Sequence, residues 1–344
     1  FNANISESNA NISKFNEEFH QKLYFIHQFS LSLQSEKRHS AIREGTLPPY
    51  PMERFNQSIQ KSLEDLNNCL ILLVMEQNNV KPAEGKLGIM VVGCGAVATT
   101  FMTGVFMARK GLAKPVGSMT QYDKIRVGKG ADKKYLHYKD IVPIADLNDI
   151  VFGTWDVYPQ NAYQAAMYAE VLKEKDINPV REELEKVVPM KAAFDKNYAK
   201  RLDGDNVKDC KTRWEMVEAL RQDIRDFKEK NGCARIVVIW AASTEIYVPV
   251  DMEIHGTLAA LEAAMKADDR QHIAPSMCYA YATLTEGAPF IMGAPNTTVD
   301  IPAMWELAEK TKMPIAGKDF KTGQTLVKSG FAPIIGTRCL GLNG

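Results

Sequence analysis

Three stretches of this sequence place small, hydroxyl and charged residues at spacings that can hold phosphate. The first is Gly93-Cys94-Gly95-Ala96-Val97-Ala98, a G-x-G-x-x-A pattern. In such a turn Gly93 permits the tight bend, Gly95 lets backbone approach a pyrophosphate, and Ala98 allows a helix to pack closely on a strand. Free N–H groups and the helix dipole then favour the anion. The second is Trp240-Ala241-Ala242-Ser243-Thr244-Glu245. Its small and hydroxyl residues could touch a nicotinamide ribose without crowding it, or could simply form a strand-end turn. The third runs from Gly317 through Lys318, Asp319, Phe320 and Lys321 to Thr322-Gly323-Gln324-Thr325. Thr322 is a plausible helix cap, and Gly323, Gln324 and Thr325 would present unpaired N–H groups. With Lys318, Lys321 and Lys328 nearby, this suits a phosphate monoester; a capped surface helix with solvated lysines is the alternative. The order G-x-x-x-x-G-K of a P-loop is absent.

An acidic residue about 20 positions beyond the glycine turn, which would hold an adenosine ribose, is not cleanly placed. Asp123 comes late and reads better as a solvated loop residue. Asp156, in Gly153-Thr154-Trp155-Asp156, leaves a strand at the edge where parallel sheets bind ligands. It could equally cap the helical segment after Pro159. The histidines, His20, His27, His39, His137, His255 and His272, lack metal-site or triad spacing. Ser243 and Ser276 have no nucleophile-elbow context, and Met102, Met107, Met277 and Met292 read as core filling.

These residues need a parallel sheet to position them. Leu87–Val92 is a short apolar run ending at Gly93 and reads as the central strand, followed by a helix over Ala98–Lys110. Ile150–Gly153 and Ala234–Trp240 are further strands. Helices are expected over Asn161–Lys175, Pro179–Val188, Val207–Lys230 with a cap at Asp205 or Asn206, Thr257–Ala267 and Pro302–Lys312. Strand and helix alternate, which predicts an α/β doubly wound sheet.

Composition narrows the function classes. Lys plus Arg and Asp plus Glu both total 42 in 344 residues, which excludes a general electrostatic grip on nucleic acid or an anionic membrane. No run approaches the roughly 18 apolar residues of a membrane span. The six cysteines are widely spaced, with neither a disulfide framework nor a zinc pattern, which fits a cytoplasmic protein. Residues 1–74 are rich in Asn, Gln and Ser, and their first turns carry Glu7, Glu17 and Glu18 rather than a basic leader. Met75 resembles a native start, making residues 1–74 an extension; the alternative is a helical arm over Phe55–Leu73.

From about Lys86 onward, the chain resembles the myo-inositol-1-phosphate synthase family. The resemblance rests most on Pro275-Ser276-Met277-Cys278-Tyr279-Ala280-Tyr281-Ala282, Glu286–Ile291 and Gly293-Ala294-Pro295-Asn296-Thr297, with the stretches above in the same order. It implies a Rossmann-like NAD domain over 75–300 and, from 301 to 344, the start of an inserted α+β oligomerisation and catalytic domain. It also implies an isomerase: oxidation at C5 of glucose 6-phosphate, enolisation at C6, intramolecular aldol attack on C1 and return of the hydride, with NAD recycled. Gly93, Gly95, Ala96, Val97, Ala98, Asp156, Ala242, Thr244, Gly293, Ala294 and Asp319 match the family's cofactor contacts. Thr322, Gly323, Gln324 and Thr325 match its substrate-phosphate site, with Thr322 in place of serine. Met292 stands where many members have asparagine, and the glycine loop is an Ala-Val-Ala variant, so its contacts should be mainly backbone.

In the family the catalytic lysines follow the point where this chain ends, at Leu342-Asn343-Gly344. The resemblance therefore implies a piece of a homotetrameric enzyme, inactive by itself and poorly soluble through an exposed sheet edge. Another NAD-dependent oxidoreductase of a phosphorylated sugar, or a non-catalytic NAD-binding protein, would share the glycine turn and the anion site.

Overall fold

Residues 86–92 alternate their burial partners with period two, and that alternation builds the domain. Ile89 and Val91 point into one hydrophobic core, Met90 and Val92 into another on the opposite face. The computed structural model describes residues 83–128, 133–320 and 330–338; the sequence expectations for 1–74, Met75 and Thr322–Thr325 fall outside these.

The strands are β1 (Lys86–Val92), β2 (Lys124–Val127), β3 (Lys134–His137), β4 (Ile150–Asp156), β5 (Met190–Lys191), β6 (Cys233–Trp240), β7 (Phe290–Met292) and β8 (Ile315–Gly317). Among the described residues, the helices of eight residues or more are α1 (Ala96–Arg109), α2 (Ala162–Ala169), α3 (Arg213–Asn231), α4 (Leu258–Lys266), α5 (Pro275–Thr285) and α6 (Pro302–Thr311). Six strands form one sheet in the order β5-β4-β1-β6-β7-β8, every pair parallel, while β2 and β3 form a separate hairpin. The chain runs from β1 out to β4 and β5, then crosses back to β6 on the other side of β1. That reversal creates the crevice where such sheets bind ligands. Helices α1 and α2 cover one face; α3, α4, α5 and α6 cover the other.

Several boundaries differ from the sequence reading for local reasons. Helix α2 opens with a reciprocal Asn161/Gln164 capping box and stops where Glu170 turns left-handed at φ 51°, well short of Lys175. Helix α3 starts at Arg213, capped by Thr212, because Asn206 and Val207 are used elsewhere. The Asn206 amide donates to the Asp156 carbonyl at 2.9 Å, and Val207 bridges to Ala192. Helix α5 shows no amphipathic signal because it is buried almost all round. The change of domain expected at residue 301 does not coincide with a break in the sheet. Helix α6 packs beside α4 and α5, and β8 pairs with β7 in register from Phe290/Ile315 to Met292/Gly317.

Candidate functional site

Register brings the site together. Val92 lies opposite Trp155 and Trp240, Trp240 opposite Met292, and Met292 opposite Gly317, so one row crosses five strands at the carboxyl end. The next residues along each strand are those the sequence singled out: Asp156, Gly93, Ala241–Glu245, Gly293 and Lys318–Asp319. They all leave the sheet on one rim.

At the glycine turn, Gly93 has φ +93°, and a Cβ there would stand 2.7 Å from the Ala242 Cα. The tight bend is therefore also a close approach of two loops. Gly95 differs: its backbone is extended, and a Cβ would meet nothing within 4 Å. The space it leaves belongs to the cavity, and α1 begins there with no side-chain cap on its first amides. Ala96 and Val97 line the cavity, whereas Ala98 is buried under α1. Cys94 is buried, and burial followed by the Asp156 charge pushes its thiol up to about 12; it is an inert filler.

Asp156 does not cap the next helix, which Asn161 serves. Its carboxylate accepts from the Cys94 amide at 2.5 Å and from the Tyr158 amide at 2.9 Å. Strand β4 is the direct neighbour of β1, so its end is where a dinucleotide-binding sheet keeps its ribose-binding acid. The hairpin and turns between α1 and β4 lengthen the interval in sequence, not in space.

Between these loops lies a cavity of about 1080 Å³, large enough for more than one small molecule. Trp155, Trp240 and Tyr279 line it as an aromatic group, the two indoles edge-on to the phenol at 5.4 and 5.6 Å. The Trp240 indole N–H has no partner among the described residues. Asp156, Asp195, Asp203 and Glu245 are the acidic residues of the lining, Glu245 lining a smaller adjacent cavity as well, and none of the described lining residues is Lys or Arg.

The remaining expected contacts are distributed unevenly. Ala242 and Ser243 line the large cavity, whereas Thr244 lines a smaller one beside it. Gly293 and Ala294 line neither. A Cβ on Gly293 would collide with the Phe320 ring and the Trp240 carbonyl, so only glycine fits at this point of the rim. Asp319 is exposed, with φ 128°, and its amide and that of Phe320 reach back to the carbonyls of Met292 and Gly293 at 3.4 and 3.2 Å. The chain is thus tied to the rim at Phe320, the last described residue before Thr322–Thr325.

Sequence reasoning missed the far wall. Asp195 pairs with Arg213, which is fully buried, at 2.7 Å. Burial opposes the Asp195 charge, but bonds from Asn197 and Arg213 prevail and hold its pKa below the usual range. Arg213 also donates to the Ile273 carbonyl at 2.8 Å and lies over the Tyr198 ring. No short-range spacing joins residues 195, 213 and 273; only the fold does.

A doubly wound sheet, a glycine turn opening a helix at the switch point, and an acid on the neighbouring strand define a dinucleotide-binding protein of the Rossmann class. An open cradle at Gly95, free helix amides and the Asp156 carboxylate beside the turn fit NAD.

Residues 87–336 match the family described as myo-inositol-1-phosphate synthase, through its NAD-binding domain, and the chain belongs to that family. It is 60% identical over 269 residues to inositol-3-phosphate synthase 1 of Bacteroides thetaiotaomicron, covering 78% of this chain and 62% of that protein. Against inositol-3-phosphate synthase 1 of Oryza sativa subsp. japonica it is 37% identical over 258 residues, covering 71% and 50%. The crystal structure of inositol-3-phosphate synthase from Caenorhabditis elegans superposes with a TM-score of 0.68 at 29% identity, covering 76% of this chain and 53% of that one. The chain therefore spans between half and five-eighths of the relatives it matches. No described helix is long and apolar enough to cross a membrane.

Proposed function

We propose that this chain is the NAD-binding part of an inositol-3-phosphate synthase, which isomerises glucose 6-phosphate to inositol phosphate without net redox change. The observation that carries this reading is the single row of register that sets the glycine turn, Asp156 and the Ala242–Glu245 loop around one cavity with room beside the cofactor. Bound NAD supplies a hydride acceptor that later returns the same hydride.

The protein's own groups divide the remaining tasks. The first amides of α1 hold the pyrophosphate, and Asp156 accepts from ribose hydroxyls. Ala242 and Ser243 are small enough for close approach, and Trp155, Trp240 and Tyr279 keep water from that end of the cavity. Thr322, Gly323, Gln324 and Thr325 are proposed to anchor the substrate phosphate, and Thr244, Gly293, Ala294 and Asp319 to complete the cofactor contacts. An enolate and an aldol oxyanion need positive charge. The described lining offers none, so the cation is assigned to lysines outside it.

The catalytic and oligomerisation domain, placed from residue 301 by sequence, is proposed to begin after β8. A cytoplasmic homotetramer is the proposed assembly. The test is conversion of glucose 6-phosphate by a protein that continues this sequence through the lysine-bearing segment. Inositol phosphate with no accumulated NADH is expected; stoichiometric NADH release would overturn the reading.

A further inference from the structure

Among the described residues, Glu245 is the one acid of the cavity lining that is buried without a paired cation. Asp195, beside it, is matched by Arg213 at 2.7 Å. Glu245 is instead held by neutral groups of two residues, Ser276 and Asn296. It accepts from the Ser276 amide at the start of α5 at 3.0 Å, from the Ser276 hydroxyl, and from the Asn296 side-chain amide at 3.1 Å. The Ser276 hydroxyl in turn meets that of Thr298 at 2.6 Å.

This arrangement holds either protonation state. The Glu245 backbone N–H donates to the Asn296 Oδ1 at 3.2 Å, which fixes the amide so that its Nδ2 must donate to the carboxyl oxygen Oε2. When Glu245 is ionised, Oε2 accepts from both Asn296 and Ser276. When it is protonated, the Glu245 hydroxyl donates to Ser276, Ser276 donates to Thr298, and Oε2 still accepts from Asn296. The hydroxyl chain reverses and no contact is lost. What changes is the charge at the boundary between the large cavity and the smaller one, both of which Glu245 lines.

Glu245 follows β6, on the opposite side of β1 from Asp156. With the pyrophosphate at the central glycine turn and the adenosine ribose at Asp156, the nicotinamide half falls on the β6 side. Oxidised and reduced dinucleotides differ only in that ring, which is cationic in NAD+ and neutral in NADH. We propose that Glu245 is a specificity-determining residue whose carboxylate makes the site prefer the oxidised cofactor. The inference rests on the cofactor reading of the cavity. A site that must begin each cycle with NAD+, and give back what it takes, gains from such a bias.

The titration falls in an accessible range. Burial raises the Glu245 carboxyl to about 7, against the lowering effects of the Ser276 bonds and Arg213 and with a further rise from Asp195. The other titratable groups coupled to it are the Tyr198 phenol and the Cys278 thiol, both neutral here because burial raises each to about 12. Glu245 is therefore the group in this cluster that changes charge between pH 6 and 8.

The experiment measures the ratio of the NADH to the NAD+ dissociation constant with the full 344-residue chain from pH 6 to 8 at fixed ionic strength. NADH is followed by energy transfer from tryptophan, and NAD+ by displacement of NADH. The ratio should rise about threefold or more across that range, because NAD+ affinity increases as Glu245 ionises and NADH affinity does not. Glu245→Gln should flatten the profile and lower the ratio at pH 8. Ser276→Ala keeps the carboxylate but removes a hydroxyl that favours its charge, so it should move the midpoint upward and keeps the test open if Glu245→Gln fails to fold. Failure of the wild-type chain to bind either nucleotide would refute the cofactor reading itself. Binding of both with a pH-independent ratio, a wild-type profile in Glu245→Gln, or an unmoved midpoint in Ser276→Ala would overturn the role of Glu245 and leave the cofactor reading standing.

Discussion

Gly93 and Gly95 sit two residues apart in one turn, yet the structure gives them separable roles, and a pair of alanine substitutions can separate them. At Gly93 the backbone has φ +93°, and a methyl would stand 2.7 Å from the Ala242 Cα and 2.8 Å from its amide nitrogen. Backbone cannot swing aside as a side-chain tip can. The strained dihedral costs about 1–3 kcal/mol, and forcing the loops apart costs a similar amount. Gly93→Ala should therefore lose about 2–5 kcal/mol of stability. For a domain of this size each kcal/mol lowers the midpoint of thermal unfolding by about 2–4 °C, so a fall of roughly 5–15 °C is expected. Gly95→Ala meets open space at an ordinary φ, and losing a glycine N-cap costs only about 1 kcal/mol. Its methyl, however, occupies the place a pyrophosphate would take.

Differential scanning fluorimetry with and without NAD, beside titration of NADH through tryptophan fluorescence, measures both terms. Gly93→Ala should melt early, with its affinity loss following from a displaced loop. Gly95→Ala should melt within about 3 °C of the parent while binding NAD at least tenfold more weakly. Equal melting losses in the two variants would show that Gly95 is a packing residue like Gly93. Undiminished NAD affinity in Gly95→Ala would remove the phosphate cradle from this turn.

Three further outcomes follow from the same geometry. Asp156→Asn replaces a charged acceptor on the Cys94 amide, worth about 1.5–3 kcal/mol; NAD should bind about tenfold or more weakly and the preference for NAD over NADP should narrow, as paired titrations would reveal. Arg213→Met strips the cation from buried Asp195 and leaves the Ile273 carbonyl unpaired, so a chemical melt should show a loss of about 3–5 kcal/mol. Glu245 has a folded pKa of about 7, above the 4.5 ordinary for its type, so the folded state holds an extra proton between those values. Its contribution is thus full below about pH 4.5 and falls by about 3 kcal/mol as pH rises to 7, a slope that Glu245→Gln should abolish in urea melts across that window.

The sheet was legible because its central strands are short apolar runs bounded by glycine, and Leu87–Val92 and Ala234–Trp240 fall within one residue of β1 and β6. Helix ends were less so. The cap of α3 moved from Asp205 or Asn206 to Thr212 because Asn206 is drawn off to tie β4 to β5, a contact between residues 50 apart. Strands β7 and β8, of three residues each, are too short for a periodic signal. In the site, the glycine turn was readable from local chemistry, whereas Asp195 and Arg213 carry no pattern that a window along the chain could find.

Asp156, the acid proposed for the ribose, shows why interval and position differ. A search about 20 residues beyond the glycine turn assumes that the next strand in sequence is the next in space. Here a two-stranded hairpin and several turns intervene, and the strand beside β1 is β4. Asp156 stands 62 positions from Cys94 yet bonds to its amide. Parallel register then does what sequence spacing cannot, since the row from Trp155 to Gly317 delivers each strand's exit to one rim. The same row carries the charge argument. Its described loops bring carboxylates and backbone amides to the cavity but no lysine or arginine, which suits ribose, pyrophosphate and a cationic ring and does not suit a developing oxyanion. The charge distribution of the described lining thus fits a cofactor site, and the cation that a developing oxyanion would need is to be sought outside that lining.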